Sequence, residues 1–171
     1  RRIKKRHKMA FTFGIITISD KGARGERLDT SGQEIRSILE QNGFQFSDYV
    51  IVPDETEPIR AALLLFADEK RIDLIMTTGG TGVSPRDVTP DATLPVLDKE
   101  IPGMAEAMRR ESALITPHAM ISRAVAGIRG ASLIINLPGS PKGVRENLAT
   151  VLPALKHAIA KIKGDPSDCA S

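Results

Sequence analysis

The sequence predicts an α/β domain: a largely parallel sheet with helices on both faces. Three observations predict it. Apolar stretches of strand length alternate with stretches of helical period. The apolar stretches lack a clean period of two, as strands buried on both faces do. Polar and glycine-rich segments follow the strands, where open α/β sheets keep their ligand crevice.

Residues 13–19 (FGIITIS) read as a buried strand, followed by a polar loop over 20–29. Thr30 or Ser31 can cap a helix through Gln41, with Ile35, Ile38 and Leu39 on one face, and Asn42-Gly43 stops it. A second strand spans 46–52 and ends at Pro53-Asp54. Thr56 caps the next helix, which turns Ile59, Ala62, Leu63 and Phe66 inward. Residues 72–77 (IDLIMT) form a third strand that runs into Thr78-Gly79-Gly80-Thr81-Gly82. Helices are expected over 89–98 and 103–115, and two strands over 125–128 and 131–137 joined by a tight turn at Arg129-Gly130. The last helix covers 141–163, and Pro153 should kink or split it. Four loops therefore converge on one edge: Ser19-Asp20, Pro53-Asp54, 78–82 and Pro138-Gly139-Ser140.

At 171 residues, 41% of them hydrophobic, the chain suits one compact domain with a real core. No apolar run nears the roughly 18 residues of a membrane helix. A single cysteine, Cys169, excludes a disulfide framework and a cysteine-rich zinc site, and His7, His118 and His157 have no ligand spacing. The net charge of +3 misleads, because residues 1–8 hold six of the 24 Lys and Arg. Without them 18 basic residues face 21 acidic ones, a balance of −3. A basic tail can bind nucleic acid or an acidic membrane surface. The plainer reading is a start at Met9 behind a vector-derived or upstream extension. The tail has no apolar core of a secretory signal, so a cytoplasmic protein is expected. With one Tyr and no Trp, the acidic domain lacks the surface of a nucleic-acid binder. The expected organisation is a basic tail over 1–8, one domain over 9–164 and a C-terminal tail over 165–171.

Glycines after a buried strand let backbone N–H groups approach an anion, and the threonines add hydroxyls; a plain tight turn fits the same residues. No Gly-Lys-Ser/Thr closes the loop, so it is not a Walker A motif. Asp87 and Asp91, four apart beside Arg86, suit a site for Mg²⁺ and phosphate; equally, Asp87 or Thr89 caps a helix and Asp91 is a first-turn acid. Pro141 starts a helix whose N-terminus can hold an anion, with Lys142 either adding charge or simply solvated.

Taken together, TTGGTG, RDVTPDAT and NLPGSP are highly specific. With Ile18-Ser19-Asp20, Val52-Pro53-Asp54-Glu55 and Ile121-Ser122-Arg123, they make residues 14–163 resemble the Mog/MoaB family of molybdopterin adenylyltransferases. The same domain occurs in two-domain molybdenum-cofactor proteins of plants and animals, gephyrin included. The related insertase domain shares the glycine-rich loop but continues with a Gly-Asp-rich stretch, unlike Ser84-Pro85-Arg86-Asp87.

The resemblance implies a three-layer α/β/α domain with a mixed sheet, usually trimeric. It implies AMP transfer from Mg-ATP to the terminal phosphate of molybdopterin, releasing pyrophosphate, and hand-over of the product to a molybdenum insertase. It links Asp54 and Asp87 to catalysis. Ser19, Asp20, Thr78, Gly79, Gly80, Thr81 and Gly82 then form the nucleotide and phosphate side. Ser122, Asn136, Pro138, Gly139, Ser140 and Lys142 form the pterin side. An acid beside phosphates is unfavourable without a cation between them, which makes Asp87 the expected Mg²⁺ ligand with Asp54 assisting. A non-catalytic molybdopterin carrier or scaffold is the alternative.

Deleting residues 1–8 should leave the melting temperature and adenylyl transfer nearly unchanged, since six positive charges with one apolar residue among them add little core. A large drop in either quantity would show that the tail packs or binds substrate.

Overall fold

The computed structural model describes residues 10–168; the basic tail, Met9 and Cys169 lie outside them. Strand β1 (Thr12–Ile18) leads into a single helical turn, α1 (Asp20–Ala23), and helix α2 (Thr30–Gln41). Strand β2 (Gln45–Val52) precedes α3 (Thr56–Leu64), which continues as a π turn over Leu65–Glu69. Strand β3 (Leu74–Thr78) is followed by α4 (Thr89–Thr93), a 3-10 turn (Leu94–Val96) and the two-residue β4 (Lys99–Glu100). Helix α5 (Pro102–Ala113), a 3-10 turn (Pro117–Ile121), strands β5 (Ala126–Arg129) and β6 (Ser132–Leu137), and helix α6 (Pro141–Ile162) complete the chain.

The sheet order is β2-β1-β3-β6-β5-β4. The first four strands run parallel, and β5 and β4 are antiparallel additions at one edge. The expected mixed sheet is thus observed. Both faces are covered, which explains the missing period of two. Phe13, Ile15, Leu74, Met76, Leu133 and Ile135 pack against α2, α5 and α6. Ile16, Ile18, Ile75 and Ile134 pack against α3 and α4. Gly14 lets the second layer close: a Cβ there would lie 2.8 Å from Phe66 and 2.9 Å from Ile72.

The register makes the parallel strands end together, with Ile18 beside Val52, Thr17 beside Thr78, and Thr78 beside Leu137. The four converging loops therefore do meet at one edge.

Several local expectations change. Asp29, not Thr30 or Ser31, caps α2; its carboxylate accepts from Gly32 N–H and from the Thr17 and Tyr49 hydroxyls. Glu55 precedes α3 without a side-chain cap, and Thr56 is already helical. The helix expected over 89–98 shortens to α4 and its 3-10 turn, because Asp98 N–H is drawn into the β5 edge by Ile128 O. Pro153 does not split α6. Its exposed position leaves the freed carbonyl of Ala149 facing water, while Val144, Leu148, Val151, Leu155 and Ile159 pack continuously on both sides of it.

Gly14→Val should destabilise the domain by about 1–3 kcal/mol through overpacking against Phe66 and Ile72. Urea unfolding should show a lower midpoint with an unchanged slope. An unshifted midpoint would mean that this layer has room to spare.

Candidate functional site

The glycine-rich loop is tied back by its carbonyls. Gly79 O accepts from the Thr89 hydroxyl at 2.8 Å, and Gly80 O from Thr89 N–H at 3.1 Å. Thr81 O accepts from Arg123 N–H at 2.8 Å, and Gly82 O from Arg123 Nε at 2.8 Å. In a trans peptide the N–H points opposite to the C=O, so the following amides turn outward. This is the arrangement of an anion cradle. Gly79 and Gly80 have φ of 99° and 67°, and a Cβ would come within 2.4 Å of Ile18 O and 2.3 Å of the Thr89 hydroxyl, respectively. The backbone conformation and the close packing both demand glycine there.

Beside the loop sits an acidic group with one guanidinium. Asp20 N–H donates to Asp54 Oδ2 at 2.9 Å, and Asp54 N–H donates to Asp20 Oδ1 at 3.0 Å. Arg86 grips Asp20 through Nε and an Nη at 3.0 and 2.8 Å, which holds the Asp20 carboxyl below its ordinary range. Burial pushes the Asp54 carboxyl up, and the nearby charges of Asp20 and Asp87 push it the same way. Asp87 does not cap α4, which begins at Thr89 behind Val88, without a side-chain cap. Its Oδ2 accepts from Ser84 N–H at 2.9 Å instead. Asp91 is engaged by Arg123 at 3.0 and 3.1 Å.

Among the described residues, no three His, Cys, Asp or Glu side chains converge to hold a metal unaided. Asp54 and Asp87 each place one carboxylate oxygen on a backbone N–H, which leaves the other for a cation that takes its remaining ligands from phosphates and water. A hard divalent ion fits that donor set.

Two cavities flank the loop. One, of about 610 Å³, is lined by Ser19, Ser31, Asp54, Thr78, Gly79 and Gly80, with Gly139 and Ser140 opposite. The other, of about 380 Å³, is lined by Thr81, Gly82, Ser122, Pro138, Ser140 and Lys142, among others. Ser140 belongs to both, and it also caps α6 through Gly143 N–H. Most residues of the two groups named from the sequence divide between two neighbouring hollows, with Thr81 and Gly82 on the smaller side and Gly139 on the larger, while Asp20 lines neither. Asn136 stands apart. It is fully buried, with its amide on the Thr77 and Thr93 hydroxyls and its oxygen on Val125 N–H. It orders the strand ends from within rather than facing either cavity.

A family model described as "Probable molybdopterin binding domain" matches residues 14–157. The chain belongs to this family. Molybdopterin adenylyltransferase of Helicobacter pylori (strain J99) is 44% identical over 155 residues, 89% of this chain and 88% of its own length. Gephyrin of Dictyostelium discoideum is 45% identical over 163 residues, but the chain spans only 23% of gephyrin. The crystal structure of the molybdopterin biosynthesis enzyme MoaB from Thermus thermophilus superposes with a TM-score of 0.86 at 52% identity, covering 92% of this chain and 99% of that one.

Sequence reasoning misses several residues of this family member's site. Arg123 figures there only as part of a motif, yet it bonds Gly82 O, Asp87 O and Asp91 at once. Arg27, Leu28 and Ser31 line the larger cavity, and the Ser31 hydroxyl donates to Gly139 O at 2.6 Å. His118, which has no ligand spacing in the sequence, lies in the wall of the smaller cavity. Only the glycine and polar content of residues 20–31 signals any of these.

The raised Asp54 pKa carries a sign. Its protonated form favours the folded state fully below the unfolded value, and that contribution disappears as pH rises through the folded value. Asp54→Asn, which keeps the acceptor for Asp20 N–H, should therefore raise the melting temperature at pH 7 and lose that advantage in acid. A melting temperature lowered at pH 7 would contradict the strained carboxylate.

Proposed function

We propose that this chain is a molybdopterin adenylyltransferase, which moves AMP from Mg-ATP to the terminal phosphate of molybdopterin. The observation that carries the reading is the pair of cavities meeting across one tied-back glycine loop, with Ser140 common to both. Two anionic substrates need two adjoining hollows and donors at the junction. Relatives alike over most of the chain, named for molybdopterin adenylyltransferase and molybdopterin biosynthesis, support the same reading.

The larger cavity takes the nucleotide. Ser19 and the outward amides after Gly79 hold the phosphates, Thr78 ties the loop to Pro138 O through its hydroxyl, and Asp20 sets the Asp54 loop through the reciprocal pair. The smaller cavity takes the pterin against Ser122, Pro138 and Ser140, with Lys142 at its edge and Thr81 and Gly82 at the junction. Asn136 acts as a positioning residue behind Thr77. A pterin phosphate oxygen forms a bond to the α-phosphorus of ATP, and the bond to the bridging β-oxygen breaks, releasing pyrophosphate. The nucleophile is already an anion, so no general base is required, and positioning supplies much of the rate. Mg²⁺ held by Asp54 and Asp87 would neutralise the gathered phosphate charge.

Assembly as a homotrimer, cytoplasmic location and hand-over of adenylyl-molybdopterin to an insertase belong to the same proposal, with no role for nucleic acid or membrane. Fusion of such domains into longer proteins, as the partial coverage of gephyrin indicates, supports the hand-over. Among the described residues no helix is long and apolar enough to cross a membrane.

Asp87→Asn should lower adenylyl transfer on the order of 10²-fold or more, the size of one preorganised electrostatic contact, while molybdopterin affinity survives. Near-normal turnover with an ordinary Mg²⁺ requirement would remove the assigned role. Wild-type protein that binds molybdopterin without transferring AMP would be a carrier.

A further inference from the structure

We infer that Glu146 reads the amino-pyrimidinone edge of the pterin; this rests on the adenylyltransferase reading of the smaller cavity. Glu146 supplies the one carboxylate in that cavity's wall. It lies in the second turn of α6, one helical turn beyond Lys142, so both face the same hollow. Its side chain is only 26% exposed, yet no described residue donates a hydrogen bond to its carboxylate oxygens. The nearest cation, Lys142 Nζ, is 3.8 Å away, beyond hydrogen-bond length.

Two neighbouring side chains direct donors to backbone carbonyls. Arg109 bonds the carbonyls of Ser122 and Ala124, and the Asn147 amide bonds Gly143 O. The Glu146 oxygens still reach solvent, and a ligand that brings two donors can take the place of that water.

The chemistry of the expected ligand matches. A 2-amino-4-oxo pyrimidine ring presents a ring N–H and an exocyclic amine side by side. These two parallel donors suit the two oxygens of one carboxylate, the pairing that makes charge-assisted bidentate bonds specific. Small polar groups set into largely apolar pockets fix ligand orientation in this way. Glu146 would then orient the pterin so that its phosphate tail reaches the junction at Ser140.

The test compares the phosphate ester of 6-hydroxymethylpterin with its lumazine counterpart, in which an oxo group replaces the 2-amine and turns an acceptor toward the carboxylate. Both fluoresce, so binding is read by titration on the full chain. Wild-type protein should prefer the pterin ester by about 10-fold or more, the discrimination expected of one bidentate pair. Glu146→Gln should bring the preference close to unity, mainly by weakening the pterin ester, with an unchanged melting temperature. Lys142→Met, whatever it does to absolute affinity, should keep the preference. Retention of the full preference by Glu146→Gln overturns the inference and leaves the pterin reading standing. Loss of the preference in Lys142→Met also overturns it, because discrimination would then belong to the ion pair. Wild-type protein that binds neither ester overturns both the inference and the reading beneath it. Should Glu146→Gln unfold, Glu146→Asp replaces it: a carboxylate withdrawn by one methylene should reduce the preference, and full retention refutes the role.

Discussion

Thr89 holds the glycine-rich loop from behind, and the edge of the sheet is organised around that contact. The residue is fully buried, its hydroxyl is on Gly79 O and its N–H is on Gly80 O. Those two bonds turn the first peptides of the loop so that their amides face outward. They also place the hydroxyl where a Cβ on Gly80 would sit. Arg123 continues the hold along Thr81 and Gly82, then reaches Asp87 O and Asp91. Loop, acidic turn and smaller cavity are thus fixed relative to one another by two residues, one buried and neutral, one charged at the surface. Such a loop is preorganised: little backbone freedom is left to lose when an anion arrives.

The acidic group shows the usual tension between stability and chemistry. Burial raises the pKa of Asp54 and the charges of Asp20 and Asp87 add to the rise, while the Asp20 N–H and the Arg86 charge offset only part of it. A folded protein gains nothing from carboxylates drawn together in this way. A site that gathers phosphates around a divalent cation does gain, because the charge is already in place before substrate binds. The reciprocal bonds between Asp20 and Asp54 use backbone N–H groups, so the two loops are locked without consuming every carboxylate oxygen.

What was legible in the sequence was what local pattern determines. Runs such as FGIITI and SLIINL announce strands buried on both sides, and in a parallel sheet the loops after them must share an edge. The glycine pair at 79–80 could be read because it demands backbone freedom. What escaped depends on contacts distant along the chain. Asn136 lies near the end of an expected strand, and the resemblance puts it on the pterin side with Pro138, Gly139 and Ser140, but its register buries it against Thr77 and Thr93. Asp29 won the cap of α2 because Thr17 and Tyr49, from two different strands, converge on its carboxylate. Arg123 carries no local signal for gripping residues some forty positions earlier. Pro153 obeyed its tertiary surroundings rather than its propensity, since the packed face of α6 passes it on the other side.

Helix α6 is capped by Ser140, between the two cavities, and its 22 residues run about 33 Å at 1.5 Å per residue. Just past its far end, Lys163 bonds Asp73 at 2.6 Å, ahead of β3. One wall of the smaller cavity is therefore a strut pinned at both ends and glued along its length by buried aliphatic side chains. The facing wall is the turn Pro117–Ile121, which contains no buried residue and leaves Met120 74% exposed. Low burial means low local stability. The compliance of the cavity is concentrated in that thin wall. Any give in the smaller cavity therefore belongs to that turn, not to the strut or the serine that both cavities share.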